Sequence, residues 1–107
     1  MAAPFSTTEL KLETVTTAEE TFIRCIGKMT YPSSVSLQTT VRSLIPGTKR
    51  LVLDLAGVTY LDSFGLGALV SVYLSAKRQN CELTLINMSK QGKELLQITN
   101  LGALLVK

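Results

Sequence analysis

The chain has 107 residues, of which 46% are hydrophobic and 18% charged, and its formal net charge is +3. That is the size of one small domain, with enough apolar side chain to build a core without a metal or a disulfide and none of the composition of a disordered segment. Histidine is absent, which excludes Ser-His-Asp and Cys-His pairs, H-E-x-x-H metal sites and His-ligated zinc, and two cysteines cannot by themselves form an all-thiolate zinc site.

The basic residues are scattered in pairs such as Lys49 with Arg50 and Lys77 with Arg78, and tryptophan is missing. A nucleic-acid surface would carry a basic stripe interleaved with aromatics, so direct nucleic-acid binding is not expected. Met1 to Phe5 has no basic leader pattern, and no stretch approaches the ~18 apolar residues of a spanning helix. The expectation is a cytoplasmic protein without membrane insertion. Cys25 and Cys81 are not a C-x-x-C pair and fall in strand-like segments, so they read as buried reduced thiols.

In chain order, Leu10 and Leu12 alternate with Lys11 and Glu13, the period of a strand with one buried face. The polar stretch Thr16–Glu20 breaks that pattern, and Thr21–Ile26 is a second strand ending at Gly27, so the two predict an antiparallel hairpin. Pro32, Ser33 and Ser34 read as a turn and N-cap region. Val35, Thr39, Val41, Leu44 and Ile45 follow on helical spacing until Pro46 and Gly47. Arg50–Leu55 is a short apolar run with Asp54 near its end, as expected of a central strand covered on both faces.

Leu66, Leu69, Val70, Tyr73 and Leu74 predict an amphipathic helix whose basic end carries Lys77 and Arg78. Cys81–Ile86 is a further strand, Ser89–Ile98 a further helix, and Ala103–Val106 a possible edge strand. Alternating strands and helices imply parallel pairing. The fold class is therefore α/β: a single domain over residues 1–107, with a mixed, mostly parallel sheet that opens on an antiparallel hairpin and is covered by helices. Functional surfaces of such sheets gather where strands end and helices begin.

That directs attention to the segment 57–67, GVTYLDSFGLG. A nucleophile elbow would need Gly at position 61, where Leu61 stands; a dinucleotide fingerprint would need Gly at 70, where Val70 stands. Gly27-Lys28-Met29 and Gly92-Lys93-Glu94 both miss the ending of a phosphate loop. No catalytic residue, cofactor or metal is expected, and the chain reads as a non-enzyme. What remains is a serine at a helix entrance, with Asp62 or Ser63 as N-cap. Two glycines in a first turn, Gly65 and Gly67, cost helix stability and call for close packing or close approach by another chain.

The run Leu51–Gly67, LVLDLAGVTYLDSFGLG, resembles the signature of STAS domains, in particular bacterial anti-sigma factor antagonists: an apolar strand with an internal Asp, then D-S-x-G-L-G entering a helix. Asp54, Asp62, Ser63, Gly65, Leu66 and Gly67 match, and the order of strands and helices is similar over Thr21–Val106. The resemblance implies a partner-switching regulator. In its unphosphorylated form such a protein binds an anti-sigma factor that is also a Ser/Thr kinase and frees a sigma factor. Ser63 matches the phosphoacceptor, and a protein phosphatase would reverse the modification.

The same resemblance gives a docking surface of Thr30, Asp62, Ser63, Phe64, Gly65, Leu66 and Gly67, with Asp54 ordering the loop. Gly27-Lys28-Met29-Thr30 departs from the acidic stretch usual after the second strand, putting Thr30 where relatives carry an acid. Phe64 replaces a small or polar residue and is either a hydrophobic anchor or core. Thr59, a second candidate phosphosite, reads rather as packing. Relatives usually continue beyond the position of Lys107. The alternative reading is a non-switching scaffold or regulatory subunit, in a stressosome-like or lipid-transport complex.

Overall fold

The computed structural model describes residues 9–98. Strand β1 (Leu10–Thr16) and strand β2 (Glu20–Met29) pair antiparallel, with Leu12 opposite Cys25 and Thr14 opposite Ile23. Thr17 closes the turn between them: its backbone N–H donates to the Glu20 carbonyl at 2.8 Å, and its hydroxyl accepts the Glu20 N–H at 3.2 Å. Helix α1 (Tyr31–Leu44) and a 3₁₀ turn (Ile45–Gly47) lead to strand β3 (Arg50–Leu61). Helix α2 (Ser63–Arg78), strand β4 (Glu82–Ile86) and helix α3 (Lys90–Ile98) follow. The four strands lie in the order β1-β2-β3-β4, and β2, β3 and β4 run parallel, which is the expected mixed α/β sheet.

One face of the sheet makes the core. Ile23, Leu53 and Leu85 stand in register across β2, β3 and β4 and are fully buried. Leu37 and Val41 of α1 and Leu69, Val72 and Ala76 of α2 complete the same cluster. Burying an aliphatic side chain of this kind contributes about 1.5–3 kcal/mol, so this cluster is the main anchor for both helices.

Three elements differ from the sequence expectation. Strand β3 runs past Leu55 to Leu61, because β2 also lengthens and Gly27, Lys28 and Met29 pair with Val58, Tyr60 and Leu61. The register slips on the way, between Arg24 and Ile26 and again between Gly27 and Lys28. Such bulges let a glycine-containing segment keep pairing while it bends. Nor is β3 evenly covered on both faces: Leu51, Leu53 and Leu55 are buried, whereas on the other face Asp54 is buried, Val52 half-buried and Arg50 and Ala56 exposed.

Helix α1 starts at Tyr31, with Thr30 as N-cap and Pro32 in its first turn, where a missing N–H costs no hydrogen bond. The Ser33 hydroxyl accepts the Thr30 backbone N–H at 2.8 Å, so Ser33 lies inside the helix and not in a preceding turn. Its buried stripe is Ser34, Leu37, Val41 and Ile45, which turns Val35 and Thr39 outward. In α2 the buried positions are Gly65, Leu66, Ala68, Leu69, Val72, Ser75 and Ala76, while Leu74 is exposed and Val70 and Tyr73 are half-buried. The small residues Gly65, Ala68 and Ala76 let α2 lie close beside the buried Leu66, Leu69 and Val72, while Val70, Tyr73 and Leu74 stand at the rim. The expected strand at Ala103–Val106 lies outside the described residues.

Candidate functional site

Strands β2 and β3 are parallel neighbours, so the helices that follow them begin side by side at one end of the sheet. The Asp62 N–H donates to the Met29 carbonyl at 3.4 Å, tying the entrance of α2 to the last residue of β2. Gly65 sits against the same carbonyl. A Cβ there would overlap the Met29 oxygen and stand 2.8 Å from Leu61 Cδ1, so the close approach requires glycine.

Of the two candidate caps, Asp62 takes the role: its Oδ1 accepts the N–H of Phe64 at 2.9 Å and of Gly65 at 3.0 Å. Ser63 is therefore the first residue of α2. Its side chain is exposed, and among the described residues its hydroxyl has no hydrogen-bond partner. The oxygen stands at the positive end of the helix dipole, beside a cap that does not depend on it.

The other sequence-derived candidates divide between surface and support. Gly65 and Leu66, expected at the docking face, are buried. Gly67 is exposed, and a Cβ on it would meet nothing within 4 Å; nothing inside the described chain requires glycine there. Phe64 is exposed and meets the ring of Tyr31 edge-on, with centroids 5.2 Å apart and planes at 82°. Of its two readings, the structure supports exposure.

Thr30 is half-buried and donates its hydroxyl to Glu9 Oε2 at 2.8 Å. It borders a cleft lined by Glu9, Lys28, Thr30, Thr59 and Tyr60. Thr59, read from sequence as packing, is exposed at that cleft because the β3 bulges turn it outward.

Asp54, expected to order the loop that carries Ser63, makes its hydrogen bonds elsewhere. Its Oδ1 accepts the Ala56 N–H and the Asn87 side-chain N–H, both at 3.0 Å. It thus braces the β3 bulge and the turn after β4, where Asn87 adopts a left-handed φ of 58°. The Asn87 bond, then the Ala56 N–H and the nearby Arg24 charge, hold this carboxyl below its ordinary range against the opposing effect of burial.

Cys25 and Cys81 are free and buried. Burial, with the Asp54 charge second, pushes the Cys25 thiol up to about 12, and burial, then Glu82, also raises Cys81. Neither thiol is poised as a nucleophile. Among the described residues no group of three or more His, Cys, Asp or Glu could hold a metal, and no helix is long and apolar enough to cross a membrane.

Sequence reasoning missed Tyr31 and Val35 as surface residues. Tyr31 falls just ahead of the Pro32–Ser34 stretch that reads as a turn, and Val35 opens the helical spacing that reads as a core stripe, whereas both are exposed on α1.

The model of the STAS domain family matches residues 11–106. The chain belongs to the STAS domain family. Over 52 residues it is 38% identical to a STAS-domain containing protein of Pseudomonas aeruginosa and to an anti-sigma-B factor antagonist of Listeria monocytogenes. Each alignment covers 49% of this chain, with 52% of the first relative and 46% of the second, so the chain matches about half the length of these relatives.

Among solved structures, the anti-sigma factor antagonist SpoIIAA in its unphosphorylated form is similar with a TM-score of 0.76 at 18% identity, covering 92% of this chain and 85% of that one. The phosphorylated form of the Bacillus protein gives 0.73 at 18%, covering 92% and 88%. An anti-sigma factor antagonist of Mycobacterium paratuberculosis gives 0.74 at 16%, covering 99% and 89%. At these identities the structural likeness is one of fold, and it matches the mixed sheet and helix order described above.

Proposed function

We propose that this STAS domain is an anti-sigma factor antagonist that acts by partner switching in the cytoplasm. Its unphosphorylated form binds an anti-sigma factor with Ser/Thr kinase activity and releases a sigma factor. The kinase transfers the γ-phosphoryl group of ATP to Ser63 Oγ; the hydroxyl proton leaves and ADP departs. A phosphatase hydrolyses the phosphoester with water, releasing inorganic phosphate and restoring the hydroxyl. The chain is substrate and partner, and the catalytic groups belong to the other proteins.

The observation that carries this reading is the exposed Ser63 hydroxyl, unengaged among the described residues, beside a separately satisfied Asp62 cap. Phosphate there adds roughly −1.5 to −2 charges next to a carboxylate. The fold tolerates it, because it faces the positive end of α2. A partner surface packed against the site does not, because it would have to desolvate the phosphate. The likeness of the fold to both forms of SpoIIAA supports a switch that leaves the scaffold in place.

The test is incubation with an anti-sigma-factor kinase of the same genome and ATP, followed by mapping of the modified residue by mass spectrometry. Phosphate on Ser63 and loss of kinase binding by Ser63→Asp are the expected results. Labelling elsewhere, or unchanged binding by Ser63→Asp, would overturn the reading.

A further inference from the structure

We infer that the docking face extends from Ser63 onto α1, and that its partner is a protein surface presenting an uncharged, apolar recess to Tyr31, Val35 and Phe64. The inference rests on the reading of Ser63 as the switch and adds what kind of surface recognises it. Tyr31, Val35 and Phe64 are 60%, 55% and 56% exposed. Tyr31 and Val35 lie one turn apart on the same side of α1, where they border a shallow recess with Pro32 and Ser36. The edge-on contact of Tyr31 with Phe64 joins that side of α1 to the first turn of α2, next to Ser63. Scattered exposed apolar residues are ordinary, but a contiguous set of this kind marks an interaction surface.

Charge decides the kind of partner. No Asp, Glu, Lys or Arg occurs from Tyr31 to Val41 or from Ser63 to Ala76. The adjoining Asp62 uses Oδ1 to cap the helix. A surface made for nucleic acid or an anionic bilayer would supply cations here. One as uncharged as this is complementary to an uncharged protein face, with rigid aromatic rings as anchors. The same absence of charge makes phosphorylation effective. A phosphate brought into such a contact finds no cation within Tyr31–Val41 or Ser63–Ala76.

The experiment is calorimetric titration of the full chain with the purified anti-sigma-factor kinase of the same genome, at low and at high sodium chloride. The set comprises the wild type, Ser63→Asp, Tyr31→Ser, Phe64→Ser and the remote control Lys77→Glu, each checked for native folding by its thermal transition. Tyr31→Ser and Phe64→Ser are each expected to weaken binding by ~10-fold or more, and Lys77→Glu to leave it unchanged. Wild-type affinity should vary by less than about threefold with salt, since Asp62 is the one charged residue that Tyr31–Val41 and Asp62–Ala76 offer to screening.

Wild-type affinity for the aromatic variants, alongside loss of binding by Ser63→Asp, would overturn the α1 extension and leave the switch standing. A steep salt dependence would overturn the uncharged recess. Binding to anionic phospholipid vesicles that is lost in Phe64→Ser would replace the protein partner by lipid. If the wild type binds no such kinase, the switch falls, and this inference with it.

Discussion

Gly65 lies directly against the carbonyl oxygen of Met29, and this contact sets how close the entrance of α2 sits to the end of β2. A methyl group at Gly65 overlaps main chain that cannot swing away, with Leu61 Cδ1 at 2.8 Å and Met29 Cγ at 2.9 Å. Gly65→Ala is expected to destabilise the domain by about 2–4 kcal/mol, in the range of severe overpacking. Gly67→Ala meets nothing and should stabilise it by about 0.5–1 kcal/mol through helix propensity. Urea denaturation of the two variants checks the contrast. Gly67→Ala should also weaken kinase binding if a partner approaches that open backbone closely.

Asp62→Ala removes the acceptor for two first-turn N–H groups and should cost about 1–2 kcal/mol. Asp62→Asn keeps a side-chain oxygen at the same position and should cost less than half of that. Chemical denaturation measures both. Equal losses would mean that the carboxylate charge at the dipole, and not the cap geometry, dominates.

Asp54→Ala leaves the Ala56 N–H and the Asn87 amide without their acceptor, at a cost of about 1–3 kcal/mol near neutral pH. Because the carboxyl of folded Asp54 sits below its ordinary value of 3.8, its ionised form contributes stability that is present above that value. This contribution is lost as pH falls through the lower folded-state value. The stability gap between wild type and Asp54→Ala should thus be constant near neutrality and narrow below pH ~4. Denaturation midpoints measured across that range check the sign.

Cys25, raised to about 12 from 9.0, should resist iodoacetamide in the native protein at pH 8 and react fully in denaturant. The unfolded chain gives up this proton near 9 while the folded chain keeps it. Stability linked to Cys25 is therefore intact below 9 and declines as pH rises toward 12. Peptide mapping of the alkylated protein, with and without denaturant, is the direct measurement.

The α/β order, the hairpin and the helix entrance at Asp62-Ser63 are legible along the chain, because they follow from local periodicity, turn chemistry and capping, which neighbouring residues fix among themselves. The Leu51–Gly67 signature likewise carried the family. Tertiary structure alone decided how far β3 runs, which way α1 is rotated and which of the two glycines is crowded. Val35 faces water because α1 is rotated to bury Leu37 and Val41. Gly65 is needed because the Met29 carbonyl of another strand lies against it, while Gly67, two residues on, faces open space. Asp54 braces Asn87 across the sheet instead of the loop close to it in sequence. Each of these depends on atoms far apart along the chain, and no local pattern encodes where such atoms meet.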